Sequence, residues 1–448
     1  MQPPQEPAPA VAHDKGDRMQ PEQVSDEQVV ASATDILTRR YGGEQSLFEV
    51  ERLNGSGPSI VLRARVKTNP FFQQRSVIIK QAPPTESVFE EAAYLREVVA
   101  YQFATSLSEK TRPGPALLGY DTQQRIIIIT DSGDGETLAE ALETASEEDH
   151  IALLRSLGTA LGRMHAGTAD EEEAFNVLLH RMTRSRPNAA PLQRLRDRLL
   201  SHRIRVGLRI MREAGIEIPQ EVVLTARNIE RRLLRGGMRA FTPFDLAPDN
   251  VIRSGNSFHF LDYESAGFRD VSFDVAYVVA RFPVYLASQP FNEEATKAFV
   301  DAWRIQVSDL WPGVQHPDTL QARITGALVG WALSSVAMLE PKPMAALLQD
   351  DPTFEKELEA AGLSAGDIQD FDLVDGVAEA IGDDAEENAG VVLRPRGGEP
   401  LTEDELLVRR DLRETFESLA AYAGSGKDPA YVVVAEFASE VTSCLLYT

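Results

Sequence analysis

Three residues near the middle of the chain have types and spacing suited to moving a phosphoryl group. Asp245 and Asn250 are separated by four residues, and Asp262 follows twelve positions after Asn250. Asn and Asp supply hard oxygen donors of the kind Mg²⁺ prefers. Transfer of a γ-phosphoryl group asks a protein for little covalent chemistry. It needs metal ligands across the phosphates, a cation on the phosphate oxygens, and a carboxylate to position the acceptor hydroxyl. A D-x-x-x-x-N spacing is common by chance. Here the loop runs into two short β-type stretches, VIRS and FHFLD, hinged on Gly255-Asn256, and closes on LDYE. Pro243 and Pro248 restrict its backbone, which suits a preorganised site.

The elements that must position these residues begin upstream. Ser25 and Gln28 form a capping-box pair opening a helix through Tyr41, with Val29, Ala33, Ile36 and Leu37 on one face and Gly42-Gly43 ending it. Strand patterns follow at Leu47–Leu53, Ile60–Val66 and Ser76–Gln81, the last (SVIIKQ) carrying Lys80 among β-branched residues. Glu86–Ser106 reads as a helix, and Leu117–Tyr120 and Arg125–Thr130 as two further strands. Five strands and one inserted helix make one small lobe. From Thr137 onward helical spacing dominates, at 149–165, 191–214, 222–236, 317–339 and 402–423. The closing residues, TSCLLYT, match no neighbouring pattern and read as a remnant, leaving the true C-terminus open. Met19 is an alternative start.

Together these residues resemble the aminoglycoside phosphotransferase family of small-molecule kinases, within the protein-kinase-like fold. The family's catalytic loop runs hydrophobic-His-Gly-Asp-x-x-x-x-Asn-hydrophobic, and its metal strand hydrophobic-hydrophobic-Asp-Phe/Tyr-Glu/Gly. The matching segments are Phe244-Asp245 through Asn250-Val251 and Phe260-Leu261-Asp262-Tyr263-Glu264, with Gly267, Asp270 and Asp274 behind them. The resemblance covers about residues 45–300. It implies an α+β, two-lobed architecture: an N-lobe with a five-stranded antiparallel sheet plus helix, and a large, mainly helical C-lobe. The expected division is a disordered tail at 1–23, the N-lobe at 24–131, and the C-lobe at 132–448 with the catalytic loop at 241–264.

The resemblance also assigns roles. Asp245 would position or deprotonate the acceptor hydroxyl, Asn250 and Asp262 would hold Mg²⁺, and Asp274 would brace the catalytic loop. Lys80 would bind the phosphates of ATP or GTP with Glu97 as its ion-pair partner, Glu90 and Glu91 being rivals on the same helix. Asn54, Gly55, Ser56 and Gly57 would cover the phosphates through backbone amides, although most Gly-Ser turns only connect strands. Thr130 and Asp131 would meet adenine through their backbone. His165 matches a position where relatives also carry histidine and reads as structural. One departure stands out: Pro243-Phe244 replaces the family's His-Gly, and Phe244 would pack in the histidine's place.

The implied activity is ATP-dependent phosphorylation of a small-molecule hydroxyl, an amino sugar or amino alcohol among the candidates. The alternative is a catalytically silent nucleotide-binding or scaffold protein of the same fold. Asp270, Glu293 and Glu294 would either meet an amine-bearing acceptor or form a solvated acidic surface. Composition bounds the rest. With 43% hydrophobic and 25% charged residues the 448-residue chain has ordinary globular make-up. A net charge of −24 argues against a generic nucleic-acid partner, because phosphate backbones need a basic surface. Fifteen arginines and no lysine in 181–239 run against that trend and read as solvated or acid-paired helix faces. A single cysteine, Cys444, excludes an internal disulfide framework. Without a run of about 18 apolar residues or an apolar leader, the expectation is a cytoplasmic protein with no membrane partner.

Overall fold

The computed structural model describes residues 24–446 apart from 54–56, 187, 256, 287–290, 341–347, 349–351, 365–392 and 394–400. The expected tail at 1–23 lies outside the described residues, as do Asn54, Gly55 and Ser56.

A five-stranded antiparallel sheet is built from β1 (Leu47–Arg52), β2 (Ile60–Val66), β3 (Ser76–Gln81), β4 (Leu117–Asp121) and β5 (Ile126–Thr130), in the order β1-β2-β3-β5-β4. Period-two alternation sends Val77 and Ile79 of β3 to one face and Lys80 to the other. On the first face lies α1 (Asp26–Tyr41), capped at Ser25 by a complete capping box and ended at Gly42 with φ 76°. Its Val29, Ala33, Ile36 and Leu37 bury against Leu62, Ala64, Val77, Ile79, Ile126 and Ile128. The second face receives α2 (Val88–Ser106), whose Leu95, Val98 and Val99 share a core with Ile127 and Ile129. A sheet covered on both faces explains why β5 is an unbroken run of isoleucines rather than an alternating pattern.

The remainder is mainly helical: α3 (Leu138–Thr144), α4 (Glu147–Thr168), α5 (Glu172–Thr183), α6 (Ala189–Glu213), α7 (Gln220–Arg235), α8 (Ser272–Val279), α9 (Glu293–Val307), α10 (Pro317–Met338), α11 (Pro352–Ala361), α12 (Glu403–Gly424) and α13 (Pro429–Leu445). The sequence expectations at 149–165, 191–214, 222–236, 317–339 and 402–423 correspond to α4, α6, α7, α10 and α12. The TSCL segment, expected to stand apart, completes α13, where Val441 and Leu445 are buried. Helix α9 lies so close on α4 that a Cβ at Gly158 would collide with Phe299 O. Among the described residues, no helix is long and apolar enough to cross a membrane.

Three short ladders thread this helical body. β7 (Arg239–Thr242) pairs antiparallel with β10 (Gly267–Asp270), while β6 (Glu136–Thr137), β8 (Val251–Ser254) and β9 (Ser257–Phe260) form a second sheet. Residues 243–250 leave β7 and enter β8, and residues 261–266 connect β9 to β10. Both connections therefore hang between paired strands.

Candidate active site

Lys80 sits mid-ladder on β3, opposite Val61 and Ile127. Its Nζ donates to Glu97 Oε1 at 2.8 Å and to Asp262 Oδ1 at 3.1 Å. Burial works to discharge the ammonium, but the carboxylates of Asp262 and Glu97 outweigh it and hold its pKa well above the usual lysine value. Of the three carboxylates on α2, Glu97 reaches Lys80. Glu91 pairs with Arg125 at 2.6 Å, and Glu90 is exposed.

Residues 245, 250 and 262 lie close together. The backbone N–H of Leu261 donates to Asn250 O at 2.8 Å, which seats Asp262 beside the end of the 243–250 loop. Asn250 also hydrogen-bonds the Asp245 carboxylate through its side chain. Asp245 Oδ1 accepts from Ala247 N at 3.1 Å. Burial, and then the neighbouring Asp262 charge, push the Asp245 carboxyl up to about 6, against the pull of the Ala247 N–H and Asn250. Asp262 is held with φ 54°, a conformation that costs an L-residue energy and persists where surroundings over-determine it.

Phe244, directly before Asp245, is also left-handed, with φ 69°. This is the position where the resembling family carries glycine. The ring stays buried: it lies 5.4 Å from Trp331, 6.3 Å from Phe273, and 4.8 Å beneath the Arg269 guanidinium. Asp274, expected to brace the loop, hydrogen-bonds His165 Nε2 at 3.1 Å, and Trp303 Nε1 donates to His165 Nδ1. His165 is thus a fully buried connector between α4, α8 and α9.

The segment after β5 joins the lobes. Thr130 N is committed to Ala116 O at 2.9 Å, so the amide of Thr130 is taken. The Asp131 carboxylate is taken as well, by Gly133 N and by Arg63 of β2. Arg63 and Lys80 project from the same face of the sheet, and the alternation of IVLRARV carried that signal. Of the four residues expected over the phosphates, Gly57 is the described one, and it is exposed. Two other contacts were not legible beforehand. The Tyr101 hydroxyl accepts from the Asp262 backbone N–H, and Ser132 Oγ lies 2.6 Å from His259 Nδ1. Gly114, where Pro113 O receives Phe260 N, has no room for a Cβ because Phe260 O and the Tyr263 hydroxyl fill the space.

Of the acidic residues considered for an amine-bearing acceptor, Asp270 is excluded. It is fully buried and paired with Arg232 at 3.1 Å. Glu293 and Glu294 lie exposed in the first turn of α9. In the arginine-rich stretch several guanidinium groups are acid-paired, as in Arg205–Glu230, Arg209–Glu213 and Arg239–Glu172.

A profile of the APH phosphotransferase enzyme family matches residues 67–316, more than half of the chain. No curated protein matches. Among solved structures the chain is similar to APH(2")-IIa in a ternary complex with streptomycin and ATP. The TM-score is 0.40 and the identity 13%, over 70% of this chain and 91% of that one. It is also similar to a choline/ethanolamine kinase family protein from Mesorhizobium loti, with a TM-score of 0.38 and 16% identity over 74% and 99% of the two chains. A third similar structure is choline kinase from Cryptosporidium parvum, with a TM-score of 0.38 and 12% identity over 71% and 92%. Likenesses this remote say nothing of what the present chain binds or turns over. The family match itself spans Lys80, Glu97, Asp245, Asn250 and Asp262 alike, and the chain belongs to the APH phosphotransferase enzyme family.

Proposed function

We propose that the protein transfers the γ-phosphoryl group of ATP, or of GTP, to a hydroxyl of a small molecule. The observation that carries this reading is the convergence of Lys80, Glu97 and Asp262 in one hydrogen-bonded set, with Asp245 and Asn250 beside it. Lys80, kept charged by its two carboxylates, would meet the phosphate oxygens. The turn ending in Gly57 would lie over them, and the backbone after Thr130 would take the base.

Asn250 and Asp262 fit a magnesium ion. One amide oxygen and one carboxylate are few ligands, as expected where substrate phosphates and water complete the shell. When bound, the ion would neutralise charge on the β- and γ-phosphates. Asp245 would accept the proton of the acceptor hydroxyl while that oxygen bonds to the γ-phosphorus and the bond to the β-bridging oxygen breaks, releasing ADP. A carboxyl near 6 is ionised at neutral pH yet more basic than a solvated one, which favours this role.

The test is an ADP-release screen over amino sugars, macrolides, simple sugars, choline and amino alcohols, with Asp245→Asn alongside. The expected result is release that depends on one acceptor class and is lost in the variant. Equal turnover by both proteins would sink the assignment of Asp245.

A further inference from the structure

Around Asp197 on α6, whose carboxylate is partly exposed, the packing is charged rather than apolar, and it lies outside the phosphoryl-transfer set. Arg96 of α2 is 2% exposed and spends its whole guanidinium here. Its Nε donates to Gln193 Oε1 at 2.7 Å, and one amino group reaches Asp197 Oδ1 at 2.8 Å and Ala266 O at 3.0 Å. The other reaches Gln193 O and Asp197 Oδ2, both at 3.1 Å. Gln193 Nε2 answers with a bond to Ala92 O at 2.7 Å, so α2 is fastened to α6 at two successive turns. Arg269 of β10 joins the same carboxylate at 2.7 Å.

Three consecutive carbonyls behind Asp262-Tyr263 are each taken by a different arginine. Glu264 O accepts from Arg196 at 3.2 Å, Ser265 O from Arg269 at 2.7 Å, and Ala266 O from Arg96 at 3.0 Å. Asp197 is the carboxylate that two of these groups, Arg96 and Arg269, share. Burial works against its charge, yet Arg96 and Arg269 bring it down to about 2. Arg269 also lies over Phe244, next to Asp245.

We propose that Asp197 is a positioning residue that fixes α2, and with it Glu97 and Lys80, against the Asp262–Ala266 segment and the catalytic loop. This rests on the reading of Lys80, Glu97 and Asp262 as the nucleotide clamp. Arg96 and Glu97 are neighbours on one rigid helix, about 100° apart around its axis. Any rotation of α2 that withdraws Glu97 from Lys80 must therefore break the bonds of Arg96. A bidentate guanidinium–carboxylate pair is directional as well as strong, so it sets an orientation that apolar packing alone would leave loose. The clamp thus stands assembled before any nucleotide arrives.

Calorimetric titration of the full chain with ATP plus Mg²⁺, and separately with adenosine, tests this. Asp197→Asn keeps the shape and removes the charge. It is expected to weaken ATP·Mg²⁺ binding about 10–100-fold, the usual cost of losing an outer-shell partner, while adenosine stays within about two-fold. Equal loss of both ligands would mean general loosening, and unchanged ATP·Mg²⁺ affinity in the variant would mean no coupling; either overturns the positioning role alone. A wild type that binds no ATP·Mg²⁺ overturns the nucleotide reading and the positioning role together. If Asp197→Asn does not fold, Arg96→Lys, which keeps the positive charge and loses the bidentate pair with Asp197, decides by the same titrations. A selective loss of ATP·Mg²⁺ affinity supports the role, and unchanged affinity overturns it.

Discussion

The packing under α1 and the packing around Asp197 lie on opposite sides of the same small-lobe sheet, and they hold their neighbours by different means. Under α1, aliphatic side chains from one helix meet aliphatic side chains from β2, β3 and β5. Around Asp197, carboxylate, guanidinium and peptide carbonyl meet in fixed pairs. Apolar burial is non-directional and tolerates swaps that conserve volume. Charged pairs fix angles as well as distances, and that is what a site with three convergent carboxyl and amide groups needs. Stability is therefore expected to reside chiefly in the first region and alignment in the second.

Consecutive residues on β3 put the contrast to its hardest test. Lys80 faces Glu97 and Ile79 faces α1. Lys80→Met should lower turnover about 10²–10³-fold, the usual cost of deleting one electrostatic contact to a reacting centre. Turnover within a factor of about two would remove Lys80 from the phosphate site. Ile79→Ala should cost about 2–5 kcal/mol in chemical denaturation and leave turnover intact at temperatures where the variant is folded. Parallel loss of turnover and stability in the Ile79 variant would erase the distinction between the two faces.

Phe244 joins both kinds of packing, with an aromatic ring among Trp331 and Phe273 and a guanidinium over it. Because its φ is 69°, Phe244→Gly should destabilise less than Phe244→Ala, by about 1 kcal/mol, since alanine retains the left-handed strain and loses the ring as well. The reverse order in urea melts would mean the loop relaxes out of that conformation.

The smallest expected effect concerns Asp411 on α12, which accepts from Val284 N at 2.9 Å and Leu286 N at 3.3 Å. Burial raises its carboxyl to about 6 despite those two donors. A carboxyl whose folded value is raised stabilises most below its unfolded value and loses that contribution as pH climbs through the folded one. Asp411→Asn should therefore gain about 1 kcal/mol relative to the wild type between about pH 5 and pH 7.5. A stability difference constant across that range would show that Asp411 does not titrate there.

Much of this was legible in the sequence where the signal is local. The β-branched run in SVIIKQ marked the strand that carries Lys80, and Ser25 with Gln28 announced the start of α1. The Asp245–Asn250–Asp262 spacing marked a loop and a strand end that the fold does bring together. Helix α9, with Asn292 as its cap and Ala295, Phe299 and Trp303 at helical spacing, carries a similar local signal. Other features had no local signal to find. Arg96 and Asp197 are far apart in the chain, and nothing near either residue announces the pair. Asp270 looked like surface acid because its partner Arg232 lies on a different element. The left-handed backbone of Phe244 runs against its residue type, so composition pointed away from it.

Phosphorus NMR of a turnover mixture of the protein, ATP, Mg²⁺ and the acceptor found by screening tests phosphoryl transfer most directly. A phosphomonoester resonance growing in step with ADP, and absent with Asp245→Asn, is the predicted result. Inorganic phosphate alone, or AMP appearing in place of ADP, would contradict it.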